Sequence, residues 1–575
     1  MFEVQVHIPG SPDKNDHSLR LLICSITMDV MDHFLGEQSI KVQEHRSLIN
    51  AHLRQGWEPL QLIGLTFFLT VILVKIWDKI FNREKDLFTT IKESFFKFVR
   101  SLPIIGAKIQ EELDSTKSEI SRNMFPLKKG QKYLTHLPQK GMQADKLIEI
   151  VKKDYKGLET THWENGRCSG AIYASGEEND RMMSEVFSMF VGANLLQPDV
   201  FPGPRKMEAE IVAMVCNMFK GGKDACGVVT SCGSESILLA CKSYRELAYK
   251  RGITKPEILM PESAHAAFVK SGKYFKMKVV KVPLDKKTFR VDFQKMKKMI
   301  NSNTAMLVGS MPSFPHGACD PIQEIAKLGK KHNIPVHVDQ CMGGFLTPFA
   351  GKEFKLPPCD FSVDGVTSIS ADTHKYGKAP KGSSTLLYSH PKYREGQYFT
   401  YTDWSGGIYA SSTMAGTRSG AIMATCWTAL MSNGIDGYKQ TADKVLKCRQ
   451  YIEKNLHGIS GIKVFGEPGV NIISFGSDAF DIYRLGDILT SKGWHMYTLQ
   501  MPAGLNLAIT PLFVEGSTRD DFLSDVREGT AKIMKDPSAK SEGMAAIYGM
   551  AAKIPDQAIV SEFITGYLDA YYYTK

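Results

Sequence analysis

The sequence predicts an α/β protein with a mostly parallel central sheet, a smaller C-terminal α+β domain and one N-terminal transmembrane helix. Three observations carry this. From about residue 130, short apolar runs alternate with amphipathic stretches, as in 227–230 then 235–251, and 305–309 then 321–332 then 334–339. Strand, helix, strand at this spacing implies right-handed crossovers and parallel pairing, with functional groups at the C-terminal strand ends. From about residue 435, helical patterns mix with short strands such as 470–475. Lastly, residues 59–74 carry no formal charge and lie between Trp57 and Trp77.

The 575 residues are 43% hydrophobic and 23% charged, a balance that excludes intrinsic disorder and fibrous or small disulfide-stapled classes. Lys and Arg exceed Asp and Glu by 71 − 61 = +10. The excess suits an acidic lipid surface or a phosphorylated ligand. Nucleic acid is not an expected partner, because the basic residues are dispersed and no recognition module is visible. The eleven cysteines form no C-x-x-C pair and no Cys/His cluster at zinc spacing, so reduced thiols are expected and a metal site is not.

The charges around the apolar run orient it. Lys75, Lys79, Arg83, Lys85, Lys92, Lys97 and Arg100 follow it, whereas only Arg46 and Arg54 closely precede it, which places the C-terminal side in the cytosol. The expected division is a lumenal segment 1–56, a transmembrane helix 57–77, an amphipathic linker 78–130, a catalytic domain with an N-terminal arm 131–434, and a small domain 435–575. In the linker Phe81, Leu87, Phe88, Ile91, Phe95 and Val99 recur at helical spacing, a face that either lies on the bilayer or packs on the catalytic body.

Four segments carry chemistry, and their order matters more than any one of them. Gly227-Val-Val-Thr-Ser-Cys-Gly-Ser-Glu-Ser236 reads as a strand, a tight turn and a helix start, where the N–H groups of Gly233 and Ser234 form an anion site. His265, in Pro261-Glu-Ser-Ala-His-Ala-Ala-Phe268, can stack on a planar ring. Asp339 closes the buried-strand pattern Asn333-Ile-Pro-Val-His-Val-Asp339. Lys375, directly after His374, lies in a polar glycine-containing loop, where a Schiff-base lysine is expected. Phosphate turn, stacking ring, carboxylate and lysine in this order compose a site for pyridoxal 5'-phosphate, whose pyridinium serves as an electron sink when an acid keeps it protonated.

From these residues the chain resembles the fold-type I pyridoxal phosphate enzymes of the decarboxylase-like group, and within it the sphingosine-1-phosphate lyase family. The resemblance runs from about residue 125 to the end, through Phe201-Pro-Gly-Pro-Arg-Lys-Met-Glu-Ala-Glu-Ile211, Ser263-Ala-His-Ala-Ala267, Phe314-Pro-His-Gly317, Ser368-Ile-Ser-Ala-Asp-Thr-His-Lys-Tyr-Gly377, Thr402-Asp-Trp404, Gly407-Ile-Tyr-Ala-Ser411 and Gly543-Met-Ala-Ala-Ile-Tyr-Gly549. It implies a cofactor aldimine on Lys375 with His374 beside it, stacking by His265, a ring-nitrogen partner at Asp339 and phosphate contacts from Gly233 and Ser234. It also implies a homodimer with shared active sites, to which Asn194, Gln197 and the loop around Gly416 contribute across the interface. Tyr173, Lys381 and Tyr548 match family positions near the substrate or its phosphate.

The implied reaction is retro-aldol cleavage of a phosphorylated long-chain base at C2–C3, in an enzyme anchored in the endoplasmic reticulum membrane by a single span with its catalytic domain in the cytosol. Alternatives are a related pyridoxal phosphate decarboxylase and a catalytically weakened membrane-bound paralogue. Several residues depart from the family pattern: Gln197 in place of a His, Cys232 of a Gly, Ser234 of a Thr, Gln340 of a small residue and Lys378 of an aromatic. Gln197 and Ser234 keep hydrogen-bonding capacity. Gln340 and Lys378 are expected to add bulk and charge beside the reactive lysine.

Overall fold

The computed structural model describes residues 132–159, 163–539 and 557–572, with a few isolated residues elsewhere. The chain divides into two compact units, Met1–Leu113 and Asp114–Lys575. The expected span 57–77 and the amphipathic segment 81–99 lie outside the described residues apart from isolated positions, and Tyr548 lies outside them altogether. Among the described residues no helix is long and apolar enough to cross a membrane.

The expected sheet is present in the second unit. Seven strands, β1 (Cys226–Thr230), β2 (Glu257–Pro261), β3 (Lys278–Val282), β4 (Thr304–Ser310), β5 (Val336–Asp339), β6 (Ser368–Ala371) and β7 (Ser384–Tyr388), lie in the order β1-β7-β6-β5-β4-β2-β3. Strands β2 to β6 pair in parallel, and β7 runs antiparallel between β6 and β1. Every residue of β4 and β5 is buried, which is why these strands read as continuous apolar runs rather than alternating ones.

The two faces of the sheet are covered separately. Leu387 packs in a cluster with Ile211 and Met423, while its neighbour Leu386 points the other way into a cluster with Ile237 and Phe268. The covering helices include α1 (Glu177–Met189), α2 (Pro202–Met218), α3 (Gly233–Lys250), α4 (Ala267–Phe275), α5 (Ile322–His332) and α6 (Gly420–His457). Helix α5 ends favourably: Lys330, Lys331 and His332 occupy its last turn against the carbonyl end of the dipole, and Asn333 caps it in the left-handed conformation. Helix α6 is interrupted at Gly434, whose φ of 56° is not helical.

The C-terminal part is the expected smaller α+β layer. Strands β10 (Lys463–Val464), β11 (Ile472–Gly476), β12 (Tyr497–Leu499) and β13 (Gly504–Ala508) form an antiparallel sheet in the order β10-β11-β13-β12, and the short hairpin β8 (Phe399–Tyr401) and β9 (Tyr409–Ser411) precedes it. Helices α7 (Ile482–Ser491) and α8 (Thr518–Ile533) cover it. Trp494 is buried against Phe522 with ring centroids 5.2 Å apart, and its indole N–H donates to Asp525 at 2.8 Å, so the ring is buried without orphaning its donor. Gly317 brings this layer against the large sheet: at φ 68°, a Cβ there would lie 2.2 Å from the Ile472 carbonyl oxygen.

Candidate active site

A cavity of about 290 Å³ opens at the C-terminal ends of the parallel strands. Its wall brings together Lys375, Asp339, His265, Tyr173 and Lys381, five of the residues expected from the sequence. They come from the β6–β7 loop, the end of β5, the β2–α4 turn and the N-terminal arm, so the crossover topology assembles what the chain order separates.

Lys375 lies at the base of the cavity. Its Nζ is 3.0 Å from Asp372 Oδ2, and the Asp372 side chain is 2% exposed. The Ser384 hydroxyl donates to Asp372 Oδ1 at 2.6 Å. Burial works against charge on both partners. For Lys375 the adjacent carboxylate outweighs burial and holds the ammonium proton well above the usual lysine range; for Asp372, Lys375, His374 and Ser384 outweigh burial and keep its carboxyl below the usual value. His374 does not line the cavity. Its Nε2 is 3.6 Å from Asp372 Oδ2, burial lowers its pKa, and Nδ1 is buried without a partner among the described residues.

Asp339 is held by neutral donors. Its Oδ1 accepts from the Cys341 N–H at 3.0 Å and from the Ser370 hydroxyl at 3.3 Å. Behind Ser370 stands His337, with Nε2 at 3.2 Å from Ser370 Oγ and Nδ1 at 2.8 Å from Ser368 Oγ, and the Tyr244 hydroxyl donates to Ser368 at 2.6 Å. Burial pushes His337 down to about 4, so the ring is neutral. The tautomer that satisfies every member carries its proton on Nε2, and the chain runs one way from Tyr244 to Asp339.

His265 Nδ1 accepts from the Ala267 N–H at 3.1 Å, which fixes the ring at the start of α4. Gly233 opens α3 directly against the lysine loop: a Cβ there would lie 2.7 Å from both Asp372 oxygens and from Cys341 Sγ. No side-chain bond from Cys232 caps this helix, which leaves the first N–H groups, those of Gly233 and Ser234, to an anion. Buried amine, hydrogen-bonded carboxylate, ring and helix start thus fit pyridoxal phosphate.

Above Lys375, burial pushes the Tyr173 phenol up to about 12, and its ring meets Tyr376 edge-on at 4.9 Å. Lys381 Nζ lies 4.8 Å over the Tyr173 ring and donates to the His374 carbonyl at 3.1 Å. Partial burial, together with the charge of Lys375, brings Lys381 down to about 8.

Asn194, Gln197 and Gly416 do not line the cavity. They share another region of the chain: Asn194 bridges to Ser419, its Oδ1 accepts from the Leu196 N–H at 3.0 Å, and Arg418, beside Gly416, is paired with Glu208. Gln340 and Lys378 correct the expectation drawn from them, since neither lines the cavity. Gln340 is fully buried on the far side, its amide donating to the Cys359 carbonyl at 2.8 Å and accepting from Thr347 at 2.6 Å. Lys378 sits in a left-handed turn among Lys444 and Glu515.

Sequence reasoning missed four contributors. Asp372 was signalled by its place three residues before Lys375. His337 was visible as the polar member of a buried strand. Glu235 carries a clearer device than its sequence suggests: Oε2 accepts from both the N–H and the hydroxyl of Ser231 at 2.6 Å, and Oε1 from the Met414 N–H at 2.9 Å, tying the phosphate turn to the 411–418 loop. Tyr497, a cavity residue from the small domain, had no signal.

The pyridoxal-dependent decarboxylase conserved domain matches residues 126–477. Sphingosine-1-phosphate lyase 1 of Mus musculus is 46% identical over 520 residues, covering 90% of this chain and 91% of that protein. The chain belongs to the sphingosine-1-phosphate lyase family. The family's Saccharomyces cerevisiae member is 39% identical, with 83% of this chain and 82% of that protein covered. The solved sphingosine-1-phosphate lyase of Burkholderia pseudomallei superposes with a TM-score of 0.70 at 34% identity, covering 78% of this chain and 99% of that one. Glutamate decarboxylase of Lactobacillus brevis shares the fold, with a TM-score of 0.61 at 20% identity and coverage of 72% and 97%. Membership makes this chain a lyase with pyridoxal phosphate as its cofactor.

Proposed function

We propose that the enzyme cleaves sphingosine 1-phosphate and related phosphorylated long-chain bases between C2 and C3, yielding a long-chain aldehyde and phosphoethanolamine. The observation that carries this reading is the convergence of Lys375, Asp339, His265, Tyr173 and Lys381 on one cavity in a chain that matches its lyase relatives over most of its length. Bound pyridoxal phosphate supplies an electron sink for the carbanion left when the C2–C3 bond breaks.

In this reading Lys375 is the attachment point, His265 covers the ring face, Asp339 accepts from the ring nitrogen, and the N–H groups of Gly233 and Ser234 take the phosphate. The Tyr244-to-Ser370 chain fixes Asp339 in rotation. Tyr173 stays protonated at neutral pH because burial raises its pKa, so it donates a hydrogen bond rather than accepting a proton. Lys381 stands beside it as the cation for the substrate phosphate. Lys375 Nζ, charged against Asp372, holds the proton that C2 receives after cleavage, and the C3 hydroxyl proton lost as the aldehyde forms passes to solvent.

A homodimer and a membrane anchor complete the proposal. Val191, Leu196 and Val200 around Asn194 and Gln197, and Trp404, Ile408 and Met414 near Gly416, are large apolar side chains left exposed on one chain, which supports a partner subunit at that surface. The charge asymmetry around residues 59–74 supports a single span in the endoplasmic reticulum membrane with the catalytic unit in the cytosol, where a lipid-tailed substrate is reached at the bilayer surface.

Purified enzyme given sphingosine 1-phosphate should release aldehyde and phosphoethanolamine in equal amounts, and Lys375→Ala should release neither. Product formation that survives this substitution, or carbon dioxide without aldehyde from an amino acid, would overturn the reading.

A further inference from the structure

Tyr497 begins β12, the edge strand of the small sheet, paired with Asn506 on β13. Three elements fix its position. The Phe314 ring meets it edge-on at 5.4 Å, and Asn506 donates to the Phe314 carbonyl at 2.7 Å, so strand and ring are held together. The arm pairs alongside: the Ser169 N–H donates to the His495 carbonyl and the His495 N–H to the Arg167 carbonyl, both at 2.9 Å. The next arm residue is Gly170, where a built Cβ falls 3.6 Å from Tyr497 Cε2 and 3.4 Å from the Tyr173 hydroxyl. The two phenols therefore flank the same stretch of backbone.

Although fixed, the Tyr497 side chain is not satisfied. It lines the cavity with Tyr173, Lys375 and Lys381, and its hydroxyl makes no hydrogen bond to any described residue. A phenol held rigid at a polar cavity wall without a protein partner is preorganised for a ligand acceptor. The cations nearest that wall are Lys375 and Lys381, so the acceptor it meets is anionic.

We propose that Tyr497 is a specificity-determining residue that donates its phenolic hydrogen bond to the substrate phosphate, completing with Tyr173 and Lys381 a three-donor cradle. This rests on the cleavage reaction proposed above. Burial raises the Tyr497 pKa, which keeps the donor proton in place across the neutral range.

The test compares the wild-type holoenzyme with Tyr497→Phe, which keeps the ring and its packing. Affinity for phosphoethanolamine, measured by equilibrium dialysis, should fall about tenfold, the worth of one hydrogen bond to a charged acceptor. KM for sphingosine 1-phosphate should rise by a similar factor, with kcat within twofold and the cofactor absorbance unchanged. Unchanged KM and phosphoethanolamine affinity would overturn the proposal, as would a fall in kcat with affinity retained, since that places the phenol in proton transfer. Failure of the wild-type enzyme to cleave any phosphorylated long-chain base would sink the parent reading instead, while the dialysis comparison would still decide Tyr497.

Discussion

Lys375 Nζ lies 3.0 Å from Asp372 Oδ2, an ion pair at the base of the cavity with the carboxylate closed off from solvent. Removing one partner of such a pair strands the other, at a cost of about 3 kcal/mol. Asp372 is depressed and Lys375 raised in the folded protein. The pair is therefore fully stabilising from above the ordinary carboxylate pKa to below the ordinary lysine pKa, and is lost as pH falls through the depressed value or rises through the raised one. In the cofactor-free protein, Asp372→Asn should lower the melting temperature at pH 7 and flatten its fall under acid conditions. Calorimetry from pH 3 to 8 on both proteins checks this.

Glu235 should matter to cofactor affinity without touching the cofactor. Its carboxylate joins Ser231 to Met414, and Glu235→Ala frees both. Cofactor Kd, followed by fluorescence quenching of apo protein, should rise about tenfold, in line with losing hydrogen bonds to a charged group. Glu235→Gln keeps an acceptor and should fall between.

Lys381 titrates near 8, so its charge is present below that pH and lost above it. If it binds the substrate phosphate, KM should climb as pH rises through this region. Lys381→Arg stays charged and should give a flat KM profile up to about pH 10. Initial rates between pH 6.5 and 9.5 separate the two profiles.

Ser370→Ala breaks the chain behind Asp339, leaving the buried His337 Nε2 without its acceptor. The loss should cost about 1–3 kcal/mol of stability and shift the cofactor absorbance maximum, because Asp339, the proposed partner of the ring nitrogen, loses a donor. Retention of the wild-type spectrum would show that the chain serves packing alone.

Much of the fold was legible because its central strands are buried on both faces and so read as short continuous apolar runs between amphipathic stretches. Lys375, Asp339 and His265, which meet at one cavity, were legible from their order along the chain and from the strand and loop patterns that hold them. What could not be read was direction. Gln340 follows Asp339, and successive side chains of an extended segment point apart, so its bulk goes into the body. Lys378 is turned away by its own left-handed backbone, a conformation that a lysine does not announce. Tyr497 reaches the cavity only through strand pairing with β13 and packing on Phe314, both contacts between distant segments.

The placement of β7 between β6 and β1 has a consequence for how the enzyme matures. The register pairs Thr230 with Ser384 and Ala371 with Thr385, so the phosphate turn and the lysine loop become neighbours only once strands far apart in the chain have met. Contacts of such long sequence separation are slow to close, since loop entropy must be overcome before they are rewarded. Tight cofactor capture therefore requires that these distant strands have met, and the bound cofactor stabilises the finished sheet by mass action. Without its cofactor the folded chain should unfold more easily, so that the cofactor sustains the enzyme's persistence as well as its activity.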